Sequence, residues 1–145
     1  MEKFVQPVQV RWSDLDPNQH VRHSVYYDWA ATARLAFLSG NGIDTGLLRT
    51  LGIGPILFRE EAVFRKEIRL EDQLEIRIEL SRSRRDFSRW SIRHEIIKKD
   101  GTVCAVVTVD AAWLDLAKRK LTAPPTQIGD IFPKMAQSED FEWSD

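Results

Sequence analysis

Residues 24–39 read SVYYDWAATARLAFLS, and this stretch determines how the rest of the chain can fold. Its apolar side chains recur at every fourth position, the spacing of one face of an α-helix: Val25, Trp29, Ala33 and Phe37. Interspersed alanines make the helix thin on several sides, which suits close burial against a sheet. Ser24 is suited to the N-cap or the first position, and Gly40-Asn41-Gly42 ends the helix.

The remainder of the chain alternates apolar and polar residues in the manner of β-strands. The predicted strands are residues 4–13, 56–69, 73–81, 87–98 and 102–114. In the first strand one face carries Phe4, Val8, Val10 and Trp12. The last strand is apolar on both faces, as central strands are. The last four strands are expected to form an antiparallel meander, with Asp100-Gly101 as a hairpin turn.

One long helix beside an antiparallel sheet is an α+β layout. A helix that is buried on several sides requires the sheet to curl around it, which is the hotdog arrangement. The expected fold is therefore a curled sheet of about five strands around one central helix, within a single domain at residues 1–132. Residues 133–145 are expected to be a polar tail, in which Phe141 and Trp143 could dock on the surface.

Composition excludes several classes of function. The 145 residues carry a formal net charge of −1, whereas proteins that hold long stretches of DNA or RNA have a basic excess. Nucleic acid is therefore not expected as a partner. The single cysteine, Cys104, lies in an apolar run and is interpreted as a small buried hydrophobic residue.

The location of the protein is inferred from its termini and apolar runs. Residues 1–4 lack the apolar core and cleavage site of a signal peptide. The longest apolar runs are too short to span a bilayer. A cytoplasmic protein without a membrane span is the expectation.

The candidate chemistry lies in residues 11–26, which read RWSDLDPNQHVRHSVY. Two carboxylates and two histidines fall between a strand and the start of the helix. A helix N-terminus offers unpaired N–H groups and a positive dipole end, which stabilise a developing oxyanion. A carboxylate just upstream can act as a nucleophile or as a general base on water. The pattern therefore favours hydrolysis of an activated acyl group.

Other interpretations of these residues remain open at this stage. Asp-x-Asp before Pro-Asn is often only a turn and helix-capping device. His20 and His23 are three residues apart, but this spacing matches no strong metal motif. His94, alone on a strand face, is interpreted as a structural histidine with its hydrogen bonds satisfied.

The window resembles the signature of the 4-hydroxybenzoyl-CoA thioesterase-like hotdog proteins. The matching positions are Asp14, Asp16, His20, Val21, His23, Tyr26, Ala33 and Arg34. The resemblance implies that Asp16 is the catalytic carboxylate, as base or nucleophile. It also implies that His23, through its backbone N–H and its imidazole, supports catalysis and that Tyr26 contacts substrate. No metal is implied, and no cofactor beyond the coenzyme A of the substrate.

The resemblance extends over residues 4–130 and includes departures. Gln19 stands where the family usually has Gly, and Gln is less favourable than Gly at a positive φ. The departure therefore concerns the loop beside Asp16. Trp29, Phe58, Phe64 and Trp90 are candidates for the walls of an acyl pocket.

Two basic clusters follow the strands, at residues 82–89 and 118–120. They are typical of solvated strand ends, but arginine forks also hold phosphates well. The resemblance implies that Arg84 and Arg85 bind the phosphates of an acyl-CoA substrate, partly across a subunit boundary. It also implies a homodimer or homotetramer with active sites at the dimer interface.

Three functions are carried forward. The first is hydrolysis of an acyl-CoA thioester to a free acid and coenzyme A. The second is a hotdog protein that binds acyl-CoA or acyl-carrier protein without hydrolysis. The third, an enoyl thioester hydratase, would need an Asp/His pair in a local motif that is not found here.

Overall fold

The computed structural model describes residues 1–145, and its helices and strands are segregated along the chain, as in the α+β class. The strands are β1 Phe4–Gln9, β2 Ile53–Phe64, β3 Gln73–Ser83, β4 Arg89–Lys98, β5 Val103–Asp115, β6 Lys120–Leu121 and β7 Gln137–Trp143. The helices are α1 His23–Gly40, α2 Thr45–Leu51 and α3 Thr126–Gly129, with 3-10 turns at Trp12–Asp14 and Phe132–Lys134. None of these helices combines the length and the apolar character needed to cross a membrane.

The sheet has the strand order β1-β3-β4-β5-β2, and every neighbour in this order is antiparallel. The predicted meander is correct for β3, β4 and β5, whose connections are short. It is wrong for β2, which pairs with β5 rather than with β3. The connection from β2 to β3 spans residues 65–72, long enough to carry the chain across the sheet. As predicted, β5 is central, lying between β4 and β2.

Helix α1 packs its apolar face on the curled sheet. Its 18 residues begin and end within one residue of the predicted bounds. The buried face consists of Val25, Tyr26, Trp29, Ala30, Ala33 and Phe37. Ala30 and Ala33 are fully buried, and their small side chains let the helix approach the strands closely. The α+β class, with a curled antiparallel sheet and a packed helix, is thereby confirmed.

The first strand is shorter than predicted. It ends at Gln9, and a 3-10 turn follows at Trp12–Asp14. Trp12 is consequently 81% exposed and does not share the buried face of Val10. The chain turns here because the carboxylate of Asp14 accepts hydrogen bonds from the backbone N–H of Arg11 and from its guanidinium, both at 2.8 Å.

The expected polar tail is wrong, because residues 137–143 form a strand. β7 runs parallel to β3 from Leu80 to Ser83, whereas β1 pairs with β3 from Gln73 to Ile78. The two strands thus share one edge of β3. Trp143 contacts Phe87 at 6.3 Å between ring centroids, and aromatic packing therefore anchors a segment whose composition is otherwise polar.

Two buried polar residues have the structural roles that the sequence predicted. His94 is fully buried; its Nδ1 donates to the carbonyl of Val107 at 2.8 Å, and its Nε2 accepts from Nη1 of Arg34 at 3.1 Å. Burial, and then the charge of Arg34, lower the pKa of His94 to about 3. Cys104 is also fully buried, and burial raises the pKa of its thiol.

The neutral His94 predicts a loss of stability in mild acid. The unfolded chain takes up a proton near the ordinary histidine pKa of 6.5, whereas the folded chain does so only at about 3. This destabilisation by His94 is therefore absent above pH 6.5, where histidine is neutral in both the folded and the unfolded chain. As the pH falls below it, the free energy of unfolding drops by about 1.4 kcal/mol per pH unit.

This slope can be measured by urea unfolding at pH 7, 6 and 5. We expect His94→Gln, which keeps an acceptor for Arg34, to remove most of the slope. Equal slopes in the wild type and the variant would contradict a neutral buried His94.

Candidate functional site

The loop that holds Asp16 is closed by its own backbone. Leu15 and Val21 form an antiparallel bridge, and the N–H of Asp16 donates to the carbonyl of His20 at 2.8 Å. The Oδ1 atom of Asp16 accepts from the N–H groups of Asn18 at 2.9 Å and His20 at 3.2 Å. Its Oδ2 atom accepts no hydrogen bond within the chain. The carboxylate is thus oriented by one oxygen, and the other remains free to react.

Asp14 and Asp16 have different environments. Asp14 is fully buried. Burial opposes its ionisation, but hydrogen bonds from the side chain and backbone of Arg11 outweigh burial and lower the pKa of Asp14 below its ordinary value. Its backbone carbonyl also accepts from the N–H of Arg22 at 2.8 Å. For Asp14 the structural interpretation, a turn and capping device, is therefore correct.

The N-terminus of α1 has free amide donors. The N-cap residue is Arg22, whose side chain does not cap the helix. The N–H groups of His23 and Ser24 have no partner, and the first paired amide is that of Val25, at 3.1 Å from the carbonyl of Arg22. Ser24 is therefore the second helical residue and not the cap; its hydroxyl accepts from Nε of Arg22 at 3.2 Å. Such an uncapped end leaves backbone donors that can bind an anion.

Asp16, His23 and Tyr26 line one open groove of about 360 Å³. Tyr26 is a buried residue whose ring meets the ring of Phe64 edge to face, with centroids 4.9 Å apart. Burial raises the pKa of Tyr26 to about 12, with further contributions from the charges of Cys104 and Asp16. A phenol that keeps its proton can donate a hydrogen bond. The groove is therefore lined by a carboxylate with a free oxygen, by the first residue of an uncapped helix and by a protonated tyrosine.

Residues 64–67 form another wall of this groove, and of these only Phe64 was a candidate from the sequence. They are held in place by backbone pairing, because the N–H groups of Arg65 and Lys66 donate to the carbonyl of Cys104 at 2.8 and 3.0 Å, and the next residue but one, Ile68, accepts from the N–H of Val21 at 2.8 Å. At the rim, Nε2 of His20 lies 3.0 Å from a carboxylate oxygen of Glu67. His20 is thus paired away from His23. This wall reaches the Asp16 loop only through contacts between residues distant in sequence, which is why the sequence pattern did not reveal it.

Arg84 and Arg85 do not lie in the groove. Arg84 lines a separate hollow of about 560 Å³ together with Phe58 and Arg89. The guanidinium of Arg85 lies over the ring of Trp143, 5.0 Å from its centroid. Along β4, Arg89 lies seven positions from Ile96, which pairs with Ala105 beside Phe64. At about 3.3 Å per residue the two sites are roughly 23 Å apart within one chain.

The unusual residue Gln19 adopts the conformation that a glycine would favour. Its φ is 64°, in the left-handed region, and its N–H donates to the carbonyl of Asp16 at 2.9 Å. Gln19 thus replaces the glycine that is usual at this position without changing the left-handed backbone conformation of the loop.

Comparison with known proteins identifies relatives of this chain. A model described as the thioesterase-like superfamily matches residues 10–132. No curated protein sequence matches the chain.

Several solved structures share its fold. A hypothetical protein from Staphylococcus aureus, solved in complex with CoA, superposes with a TM-score of 0.83 at 18% identity, covering 94% of this chain and 88% of its own. A 1,4-dihydroxy-2-naphthoyl-CoA thioesterase from Synechocystis has a TM-score of 0.82 at 16% identity, covering 91% and 96%. A gentisyl-coenzyme A thioesterase has a TM-score of 0.75 at 23% identity, covering 86% and 98%. The fold is therefore the hotdog fold that the sequence predicted.

The left-handed φ of Gln19 predicts how substitutions there affect stability. A left-handed conformation costs a non-glycine residue about 1–2 kcal/mol, and glycine adds about 0.5–1 kcal/mol of unfolded-state entropy. We therefore expect Gln19→Gly to raise the free energy of unfolding by about 0.5 kcal/mol. Gln19→Val should lower it by about 1–2 kcal/mol, because a β-branched residue tolerates this region least. Urea unfolding measures both; a valine variant as stable as the wild type would rule out the left-handed loop.

Proposed function

Because the chain belongs to the thioesterase-like superfamily, we propose that it hydrolyses an acyl-CoA thioester to a free acid and coenzyme A. One observation carries the proposal: a carboxylate with a free oxygen lies in the same groove as an uncapped helix N-terminus. A thioester carbonyl between these two groups would be polarised from one side and attacked from the other. Similar folds that bind CoA or hydrolyse CoA thioesters support the choice of substrate.

The oxyanion site of the proposed reaction is the start of α1. The thioester carbonyl oxygen accepts from the free amides of His23 and Ser24. Each such donor typically stabilises a transition state by about 2.7–4 kcal/mol. The N-terminal dipole of an 18-residue helix adds to this stabilisation. The imidazole of His23 and the hydroxyl of Tyr26 are proposed to hold the thioester from the same wall.

Asp16 is proposed to drive the attack through Oδ2. As a general base it removes a proton from water, whose hydroxide adds to the carbonyl carbon; the C–S bond then breaks, and the coenzyme A thiolate takes up the proton. As a nucleophile Asp16 forms a mixed anhydride with the acyl group, which water then cleaves. Both routes consume one water and release one acid and one thiol.

A homodimer is proposed from the open edge of the sheet. β2 pairs only with β5, so its outer edge presents unpaired backbone groups over 12 residues. Large apolar side chains on this strand are exposed, with Phe58 at 53% and Phe64 at 49%. A long open edge with exposed apolar side chains is a template for pairing with another chain. A second copy supplies one of the same length and composition, and dimers can pair further into a homotetramer.

Pairing through β2 also accounts for the distant arginines. If two β2 strands pair antiparallel about a two-fold axis at Glu61, Phe64 of one strand lies beside Phe58 of the other. The partner subunit's Arg84 then approaches the Asp16 groove, because Arg84 and Phe58 line the same hollow. Arg84 and Arg85 are proposed to bind the phosphates of the CoA held in that groove.

Thiol release from a panel of short, long and aromatic acyl-CoAs tests the reaction. We expect Asp16→Ala and Asp16→Asn to reduce kcat/KM at least a hundredfold, about 2.7 kcal/mol of transition-state stabilisation. Asp28→Asn, a matched control on the exposed side of α1, should keep wild-type activity.

Two results would contradict this prediction. Equal activity of the wild type and the Asp16 variants would remove Asp16 from the chemistry. If the wild type and the Asp16 variants all bound acyl-CoA saturably without releasing thiol, the protein would be an acyl-CoA binding protein and not a hydrolase.

The dimer predicts a mass of twice 16.8 kDa for the wild type in light scattering. Val63→Arg places a charge on the exposed face of β2 and should shift the protein toward the monomer. Val5→Arg makes the same change on exposed β1 and should leave the mass unchanged. A monomeric wild type, or a dimer unaffected by Val63→Arg, would rule out the β2 interface.

A further inference from the structure

A second cavity lies at the other end of α1 from the Asp16 groove. It has a volume of about 220 Å³ and is bounded by α1, β2, β4, β5 and the 3-10 turn at Phe132–Lys134. Its walls are almost wholly apolar and include Phe37, Leu57 and Phe132. Phe37 is fourteen residues beyond His23, which at 1.5 Å per residue is roughly 21 Å along the helix. The cavity is therefore separate from the candidate catalytic groove.

Two tryptophans on the wall of this cavity have unsatisfied donors. Trp90 and Trp113 are 6% and 1% exposed, and the indole N–H of each is buried without any acceptor. Their rings lie 5.8 Å apart, and both contact Phe132. A buried donor without a partner destabilises the fold, because its hydrogen bond to water is lost and not replaced. Both residues line the cavity, where an occupant with an acceptor atom would satisfy these donors.

The same wall carries one positive charge. The side chain of Arg34 is mostly buried, and its single hydrogen bond donates to Nε2 of His94 at 3.1 Å. Since Nδ1 of His94 donates to Val107, Nε2 is a neutral acceptor and does not balance the charge of Arg34. Glu60 forms an ion pair with Arg34, with Oε2 at 3.9 Å from Nη2, a separation too long for a hydrogen bond. Arg34 therefore has free N–H donors beside an apolar space.

We propose that this cavity is a binding site for a small apolar carboxylate, with Arg34 opposite its charge and the indoles of Trp90 and Trp113 as hydrogen-bond donors. The size fits this class, since an apolar cavity of about 150 Å³ holds benzene. The observed volume accommodates an aromatic ring or a short alkyl chain together with a carboxylate. The proposal stands on this cavity alone and is independent of hydrolysis at Asp16.

The five tryptophans allow a test that locates the ligand. Trp12 lines a hollow beside Asp16, and Trp29 contacts Tyr26, so these two residues report on the catalytic end. Trp90 and Trp113 report on the cavity. The five indole N–H signals are recorded in a ¹⁵N–¹H correlation spectrum and assigned with Trp90→Phe and Trp113→Phe. The probes are benzoate and octanoate, each paired with its alcohol, benzyl alcohol or octanol.

We expect both carboxylates to move the Trp90 and Trp113 signals downfield in a saturable manner, while the Trp12 and Trp29 signals stay in place. Each carboxylate should bind at least tenfold more tightly than its alcohol, and Arg34→Gln should remove this difference. Leu38→Phe, which fills the cavity, should abolish the shifts. Leu35→Phe, the same change on the exposed side of α1, should preserve them.

Three results would overturn the proposal. The first is an absence of shifts at Trp90 and Trp113 at millimolar probe. The second is a shift confined to Trp12 and Trp29, which would place the ligand in the catalytic groove. The third is equal affinity for acid and alcohol in the wild type. Because Leu38→Phe leaves Arg34 and His94 unchanged, the test remains decisive if Arg34→Gln does not fold.

Discussion

The buried carboxylate of Asp14 organises the functional end of the molecule. Its oxygens hold Arg11 and bend the chain out of β1, while its backbone carbonyl pairs with Arg22 at the entrance to α1. These contacts set the distance between the end of β1 and the first turn of the helix. The loop that holds Asp16 lies between the end of β1 and the first turn of α1. Because Asp14 is used entirely for structure, Asp16 is free to present an unpaired oxygen beside amides that no side chain caps.

The sheet separates two kinds of surface. At the end that contains Phe64, the loop of Asp16 and the start of α1 form a polar groove with charged walls. At the other end, aromatic rings from β4, β5 and the C-terminal segment pack around Phe132. The open edge of β2 runs between these two ends. In the dimer proposed above, an antiparallel partner on that edge brings the arginines of one copy towards the polar groove of the other.

The aromatic end depends on the C-terminal segment. Residues 131–135 close the cavity beside Trp90 and Trp113, and β7 then holds this segment against β3. Trp143 and Phe87 add aromatic contacts that keep the segment in place. A stretch of polar composition thus becomes part of the fold, because a few aromatic residues and a free strand edge outweigh its polarity.

Local pattern alone determined much of this protein. The spacing of Val25, Trp29, Ala33 and Phe37 set the helix, alternation set most of the strands, and the residues around Asp16 indicated where chemistry could occur. Such signals depend on neighbours within a few positions, so they survive in the sequence. The strand order could not be read from the sequence, because the pairing of β2 with β5 depends on residues about fifty positions apart. The tertiary structure likewise decided that Asp14 is structural, that residues 64–67 line the same groove as Asp16, and that Arg34 lines one cavity with two unpaired indoles, since long-range packing leaves no periodic trace in sequence.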